Sequence, residues 1–336
     1  MKRRTTILAA LGALLGLAAA TSLPASRGAT REPAAPASPS PSSASSNASC
    51  IACHADAHPG FARSGHAVAA VEPWYRASLP LFPREVGALC ARCHAPAASD
   101  TGVTCAACHV EGGTVLVGRD ASIDAPHPTR YAPELRSGAL CARCHVVDLP
   151  VGRGGAVVRL QDPFAEHALW RARTGDRRGC VDCHVSGPAH FAGVRDAAFL
   201  AGAVRLELDP RAVRLANLTG HAFPTGSQLR EAWLRVDLVA RDGRRVEVYA
   251  RRFSLEGDDA LGEPKRDLRL APGATLEVPL AIDVPADLPR AGLALEATVD
   301  LALVSLIYPD SHPMIPPGEP RTVPVARRRI EIPEDR

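Results

Sequence analysis

Five copies of one pentapeptide pattern, Cys-x-x-Cys-His, use every cysteine in the 336-residue chain. They are Cys50-Ile51-Ala52-Cys53-His54, Cys90-Ala91-Arg92-Cys93-His94, Cys105-Ala106-Ala107-Cys108-His109, Cys141-Ala142-Arg143-Cys144-His145 and Cys180-Val181-Asp182-Cys183-His184. Each reads as a c-type haem attachment sequence. Two thiols reach the two vinyl groups on one porphyrin edge and form thioethers. The following histidine then lies under the iron as its proximal ligand. Disulfides would give no reason for a histidine after every second cysteine. A structural zinc site would not need that histidine adjacent in every copy. A redox dithiol would be expected once, not five times. Five haem c groups are therefore the expected cofactors, and a fold must form around them.

The N-terminus places this chemistry in an exported protein. Lys2, Arg3 and Arg4 precede a mostly apolar run, residues 7–20, too short for a membrane span. Residues 1–30 read as a signal peptide, with cleavage sites after Ala20, Ser26 or Ala29. Residues 31–49 form an Ala/Pro/Ser-rich leader that cannot bury a core and reads as disordered. The mature chain is expected to be soluble and periplasmic, or otherwise exported, with no integral membrane segment. Removing Lys2, Arg3, Arg4 and Arg27 lowers the basic count from 39 to 35, against 36 acidic residues. The mature polypeptide is thus near neutral, and it has no basic arm or patch of the kind that binds nucleic acid.

Five irons with proximal histidines need second ligands. Of the twelve histidines, seven are not proximal: His58, His66, His127, His167, His190, His221 and His312. Two imidazoles per iron give a low-spin, low-potential carrier, whereas methionine raises the potential. After signal removal only Met314 is left, far from any haem motif. His66, His127, His167, His190 and His221 are the candidate distal ligands, and His58 and His312 are spares. Which distal histidine serves which haem stays open at this level.

The flanking segments resemble a known family. Ser64-Gly65-His66-Ala67 resembles the Ser-x-His-Ala element of multihaem cytochromes. The fifth motif followed by His190-Phe191-Ala192-Gly193 is similar to their Cys-x-x-Cys-His…His-x-Phe-x-Gly segment. Asn217-Leu218-Thr219-Gly220-His221-Ala222-Phe223-Pro224-Thr225-Gly226 resembles their Asn-x-x-Gly-His-x-Phe-Pro-Thr-Gly signature. The family is the multihaem c-type cytochromes related to the tetrahaem electron carriers of nitrogen oxidation. The resemblance runs from about residue 50 to 250 and is specific only at these motifs. It implies closely spaced haem pairs, mainly bis-histidine ligation, electron transfer and an iron-ligating His221. Five haems, the leader and a C-terminal extension depart from the family pattern.

The chain divides by pattern. Residues 50–200 read as a pentahaem cytochrome c domain with short helices after the haem motifs, loops and little sheet. Aromatic residues are scarce there, so porphyrins would supply much of the apolar volume. The second and third motifs start only fifteen residues apart, which points to neighbouring haems. The best helix candidate is 163–175. Residues 201–336 alternate apolar and polar at 232–238, 245–249, 275–282, 293–304 and 322–332, with a hairpin turn at 241–244. An antiparallel β-sandwich-like domain is expected there, beginning beside His221.

Electron transfer between a donor and an acceptor protein is the expected function, with no catalytic residues assigned. The alternative is an oxidoreductase acting on a small inorganic nitrogen or sulfur compound at one open-coordination haem. Against it, the sequence has no Cys-x-x-Cys-Lys of the nitrite-reductase type.

Overall fold

The computed structural model describes residues 47–96, 99–118, 124–150, 155–187, 190–257 and 266–333. These all belong to one unit of contacts, residues 40–336. The signal peptide and nearly all of the leader lie outside the described residues. Among the described residues no helix is long and apolar enough to cross a membrane.

Four of the five motifs lie on helices that end at their histidine: Arg84–His94, Cys105–His109, Ala139–His145 and Cys180–His184. Short helices such as His58–Ala62 and Ala197–Ala201 do follow motifs, but helices also carry the motifs themselves, which the expectation did not include. The spacing explains it. Residues three and four apart share a helix face, so both cysteines and the histidine point the same way. Val110, Val146 and Val185 directly follow three of these histidines and adopt extended backbone. β-branched side chains favour that conformation, and each helix stops there.

Between the helices lie small ladders. Val110–Glu111 pairs with Thr114–Val117 across Gly112 and Gly113, both at positive φ. Thr129–Tyr131 joins the same sheet in parallel. Val147–Leu149 pairs with Val158–Gln161. Val185–Ser186 folds back on His190–Phe191. The helix Pro163–Thr174 has the ends its sequence announces. Asp162 accepts from Ala165 N at 2.9 Å, Pro163 opens the first turn, and Gly175 closes the helix at φ 72°.

The last third is sheet. Five antiparallel strands run in the order Arg266–Asp267, Arg245–Glu256, Glu231–Val239, Ala294–Ala302, Thr322–Glu331. Three more run in the order Thr275–Pro279, Ala212–Asn217, Val204–Asp209. The two sheets share one hydrophobic core. Leu206, Val213 and Leu215 from the smaller meet Leu234, Val236, Leu238, Leu295 and Val299 from the larger. Alternation dictates this: Ala232, Leu234, Val236 and Leu238 are all fully buried. Glu296 is a buried carboxylate in the strand Ala294–Ala302, and Arg245, Arg327 and Arg329 surround it.

The short strands Val204–Asp209 and Ala212–Asn217 carry the chain from the last motif helix to the His221 loop. Because this core fixes that loop, Leu234→Ala should cost roughly 2–5 kcal/mol, typical of a buried Leu→Ala change. The check is the urea unfolding midpoint, which should fall markedly.

Candidate haem attachment and axial ligand sites

All ten cysteines are unbridged. Thiols of different motifs influence one another electrostatically: Cys50 acts on Cys105, Cys93 on Cys144, and Cys180 on Cys141. Cys108 also acts electrostatically on Cys141 and Cys144. The first motif thus adjoins the third, while the fourth adjoins the second, third and fifth.

Three of the motif histidines are held by backbone carbonyls. Nδ1 of His94 lies 3.0 Å from the Ala69 carbonyl, Nδ1 of His109 lies 3.1 Å from that of Leu116, and Nδ1 of His184 lies 2.9 Å from that of Ala192. A carbonyl only accepts, so Nδ1 donates and Nε2 keeps its lone pair for a metal. The local ladders supply these carbonyls: Leu116 lies on Thr114–Val117, and Ala192 follows His190–Phe191. Tyr75 stacks on His94 with ring centres 3.9 Å apart and planes 5° from parallel.

Two imidazoles on opposite sides of one iron, each bonded at about 2 Å, have ring centres roughly 6 Å apart. Three proximal histidines have such a neighbour. His127 is 6.4 Å from His54, His66 is 6.0 Å from His145, and His221 is 6.1 Å from His184. His167 faces His221 at 6.0 Å and no proximal ring at comparable distance among the described ring contacts. His190 sits opposite Ser186 in its ladder, with Nε2 3.9 Å from Asp196. Of the spares, His58 is exposed at the start of a short helix, and His312 Nε2 lies 3.1 Å from the Leu306 carbonyl. Nδ1 of His127 and of His221 is buried without a hydrogen-bond partner among the described residues. That is the condition of a ring nitrogen available to a metal, so the donor set fits haem.

The His221 loop is the most constrained of these. Asn217 is buried, and its Nδ2 reaches the carbonyls of His221 at 2.6 Å, Leu270 at 3.0 Å and Ala271 at 3.1 Å. Thr219 Oγ1 takes the His221 N–H at 3.2 Å. Gly220 packs closely, since a Cβ there would lie 3.0 Å from the His167 ring and 3.1 Å from that of Trp170. Phe223 is buried and exchanges two backbone bonds with Leu270. Glu166, on the helix Pro163–Thr174, accepts from Thr225 Oγ1 at 2.6 Å and Ala222 N at 3.1 Å. Arg269 closes the far side, 2.5 Å from Glu166. Glu166 and Arg269 lie far apart in sequence and were not foreseen there. Only the fold brings both to the loop.

The His66 turn is similarly tight. Ser64 is buried and donates to the Phe61 carbonyl at 2.6 Å. A Cβ on Gly102 would overlap the His66 carbonyl oxygen, which accepts from Val103 N at 2.8 Å.

Desolvation is the largest cause lowering the pKa of His66 and His94. It also pushes His221 down to about 4, helped by the charges of His184 and His167. His145 keeps accessible surface but is ringed by protein. Desolvation first, then His66, His184 and Arg230, push it to about 4. These imidazoles are neutral at pH 7, as metal ligation requires. The unfolded chain binds protons on them near pH 6.5, where the folded chain does not. Stability should therefore fall as pH drops from about 6.5 to 4. Denaturant midpoints at pH 7 and pH 4.5 check this, the lower value being expected at pH 4.5.

No protein-family model matches the sequence, and a search of curated proteins returns no match. Among solved structures, the fold is similar to that of a penta-heme cytochrome c552 from Thermochromatium tepidum. The two align with a TM-score of 0.64 at 18% identity, over 84% of this chain and 97% of the other.

Proposed function

We propose that this chain is a five-haem c-type cytochrome that passes electrons between protein partners. The observation that carries the reading is the imidazole spacing. Three of the five proximal histidines face a second imidazole at 6.0–6.4 Å. The similar fold of a penta-heme cytochrome supports it.

When bound, each haem would supply an iron that cycles between the ferric state and a ferrous state carrying one more electron. The protein's part is attachment, orientation and spacing. Cys50 and Cys53, Cys90 and Cys93, Cys105 and Cys108, Cys141 and Cys144, and Cys180 and Cys183 are the attachment pairs. His54, His94, His109, His145 and His184 are the proximal ligands. His127 pairs with His54, His66 with His145, and His221 with His184. His190 and His167 remain the candidates for the other two irons.

Mostly bis-histidine ligation keeps iron geometry nearly constant between oxidation states, which suits conduction. Export to the periplasm belongs to the same reading, since covalent haem follows a signal peptide here. So does a division into a haem domain, 50–200, and a sandwich-like β domain, 201–336, whose first loop holds His221.

Two measurements test this. The pyridine haemochrome of the purified holoprotein should give about five haems per chain, as the five motifs require, and its oxidised form should show low-spin resonance signals. Two or fewer haems after full maturation would defeat the proposal. A large high-spin signal that moves with nitrite or hydroxylamine would favour the oxidoreductase reading instead. His221→Ala should convert one haem from low to high spin while leaving the haem count unchanged. An unaltered spectrum would remove His221 from the ligand set.

A further inference from the structure

Nδ1 of His94, of His109 and of His184 is held by a backbone carbonyl. Among the described residues no such bond holds the ring of His66 or of His145. The backbone of His66 is fixed all the same, because its carbonyl accepts from Val103 N at 2.8 Å. What remains is rotation of the ring about its side-chain bonds, and packing has to limit it.

Phe191 is placed to do so. Its ring centre lies 5.0 Å from that of His66, with the planes 80° apart, an edge-to-face contact. Phe191 is itself well anchored. It pairs with Val185 in the small ladder after the fifth motif. The next residue, Ala192, donates its N–H to the His184 carbonyl at 2.8 Å and accepts from His184 Nδ1 at 2.9 Å. The strand His190–Phe191 also packs against the helix His58–Ala62, whose Phe61 carbonyl accepts from Ser64 in the His66 turn. Phe191 therefore joins the proximal ligand of the fifth motif to the ring that faces His145.

That facing pair is the most crossed of the three. The planes of His66 and His145 lie 71° apart, against 45° for His54 with His127 and 44° for His184 with His221. An axial imidazole donates π density into the iron d orbital perpendicular to its own plane. Coplanar rings raise one orbital of a pair, whereas crossed rings raise both alike. The unpaired electron of a low-spin ferric iron occupies this pair, and the electron that reduces the iron enters it.

We propose that Phe191 is a positioning residue, whose edge-to-face contact holds the His66 ring crossed to that of His145 and so keeps the orbital pair of the haem iron at the fourth motif nearly degenerate. The inference rests on the pairing of His66 with His145 in the five-haem reading above. No covalent bond forms or breaks. One electron from the redox donor enters the iron and later leaves to the acceptor.

Electron paramagnetic resonance of the oxidised holoprotein tests this on wild type, Phe191→Ala and Phe191→Tyr. Wild type should show a strongly anisotropic low-spin signal with its leading peak at low field, as crossed rings require. Phe191→Ala frees the His66 ring and should abolish that peak, its intensity moving to a rhombic low-spin signal at higher field. Haem count should hold and no high-spin signal should appear, because His66 still ligates. Phe191→Tyr keeps the ring and should keep the peak. A wild type without the low-field peak, or a peak unchanged in Phe191→Ala, overturns the proposal. Loss of the peak in both variants overturns it too, because the ring would not be responsible. So does a new high-spin signal in Phe191→Ala, since ligation and not ring angle would then be lost. If Phe191→Ala does not accumulate, Phe191→Leu decides, for it fills the space without a flat ring: a lost peak supports the proposal and a retained one overturns it. His66→Ala tests the underlying reading separately. It should turn the iron that carries the low-field peak high-spin, and an unaltered peak would defeat the pairing of His66 with His145.

Discussion

An imidazole has two nitrogens, and committing one decides what the other can do. In His94, His109 and His184 the Nδ1 hydrogen is spent on a main-chain carbonyl. Nε2 is left as a lone-pair donor aimed away from that carbonyl. Each accepting carbonyl comes from a turn or a small ladder placed against the motif helix. The minor sheets of the first two thirds therefore have a reason to exist beyond their own few hydrogen bonds. They hold rings at fixed angles, which a helix end alone would leave free to rotate.

The same logic reaches into the β part through His221. Asn217 ties the loop to Leu270 and Ala271, and Glu166 ties it to the helix Pro163–Thr174. Buried polar groups must find partners, and here they find them across three separate segments. Loss of any one partner would leave an unsatisfied group costing about 1–3 kcal/mol. The loop's position is thereby coupled to the packing of both sheets. Arg230 and Gly226 pack on each other where the loop enters the strand Glu231–Val239, with Arg230 donating to the Thr225 carbonyl.

Several features were legible in the chain. The helix Pro163–Thr174 was announced by Asp162, Pro163 and Gly175. The strands around residues 231–239, 245–256, 294–302 and 322–331 followed from alternation, because one face of each meets a core. The helices that carry the motifs were not foreseen, since a motif read for its chemistry was not also read for its helical spacing. The strands Val204–Asp209 and Ala212–Asn217 were missed, being short and broken by a tight turn at Asp209.

The sequence by itself determined the chemistry at each motif, because thiols and histidine act within one helical turn and need no distant residue. It also set the pool of second ligands, since a histidine can be counted without knowing where it lies. Tertiary structure alone decided which imidazoles meet. His66 reaches His145 across 79 positions and His127 reaches His54 across 73, contacts that no local rule can specify. It also decided that Glu166, Arg269 and Arg230 surround the ligand loops. Ordinary charged residues gain that meaning only when folding removes water and leaves each charge to its neighbours.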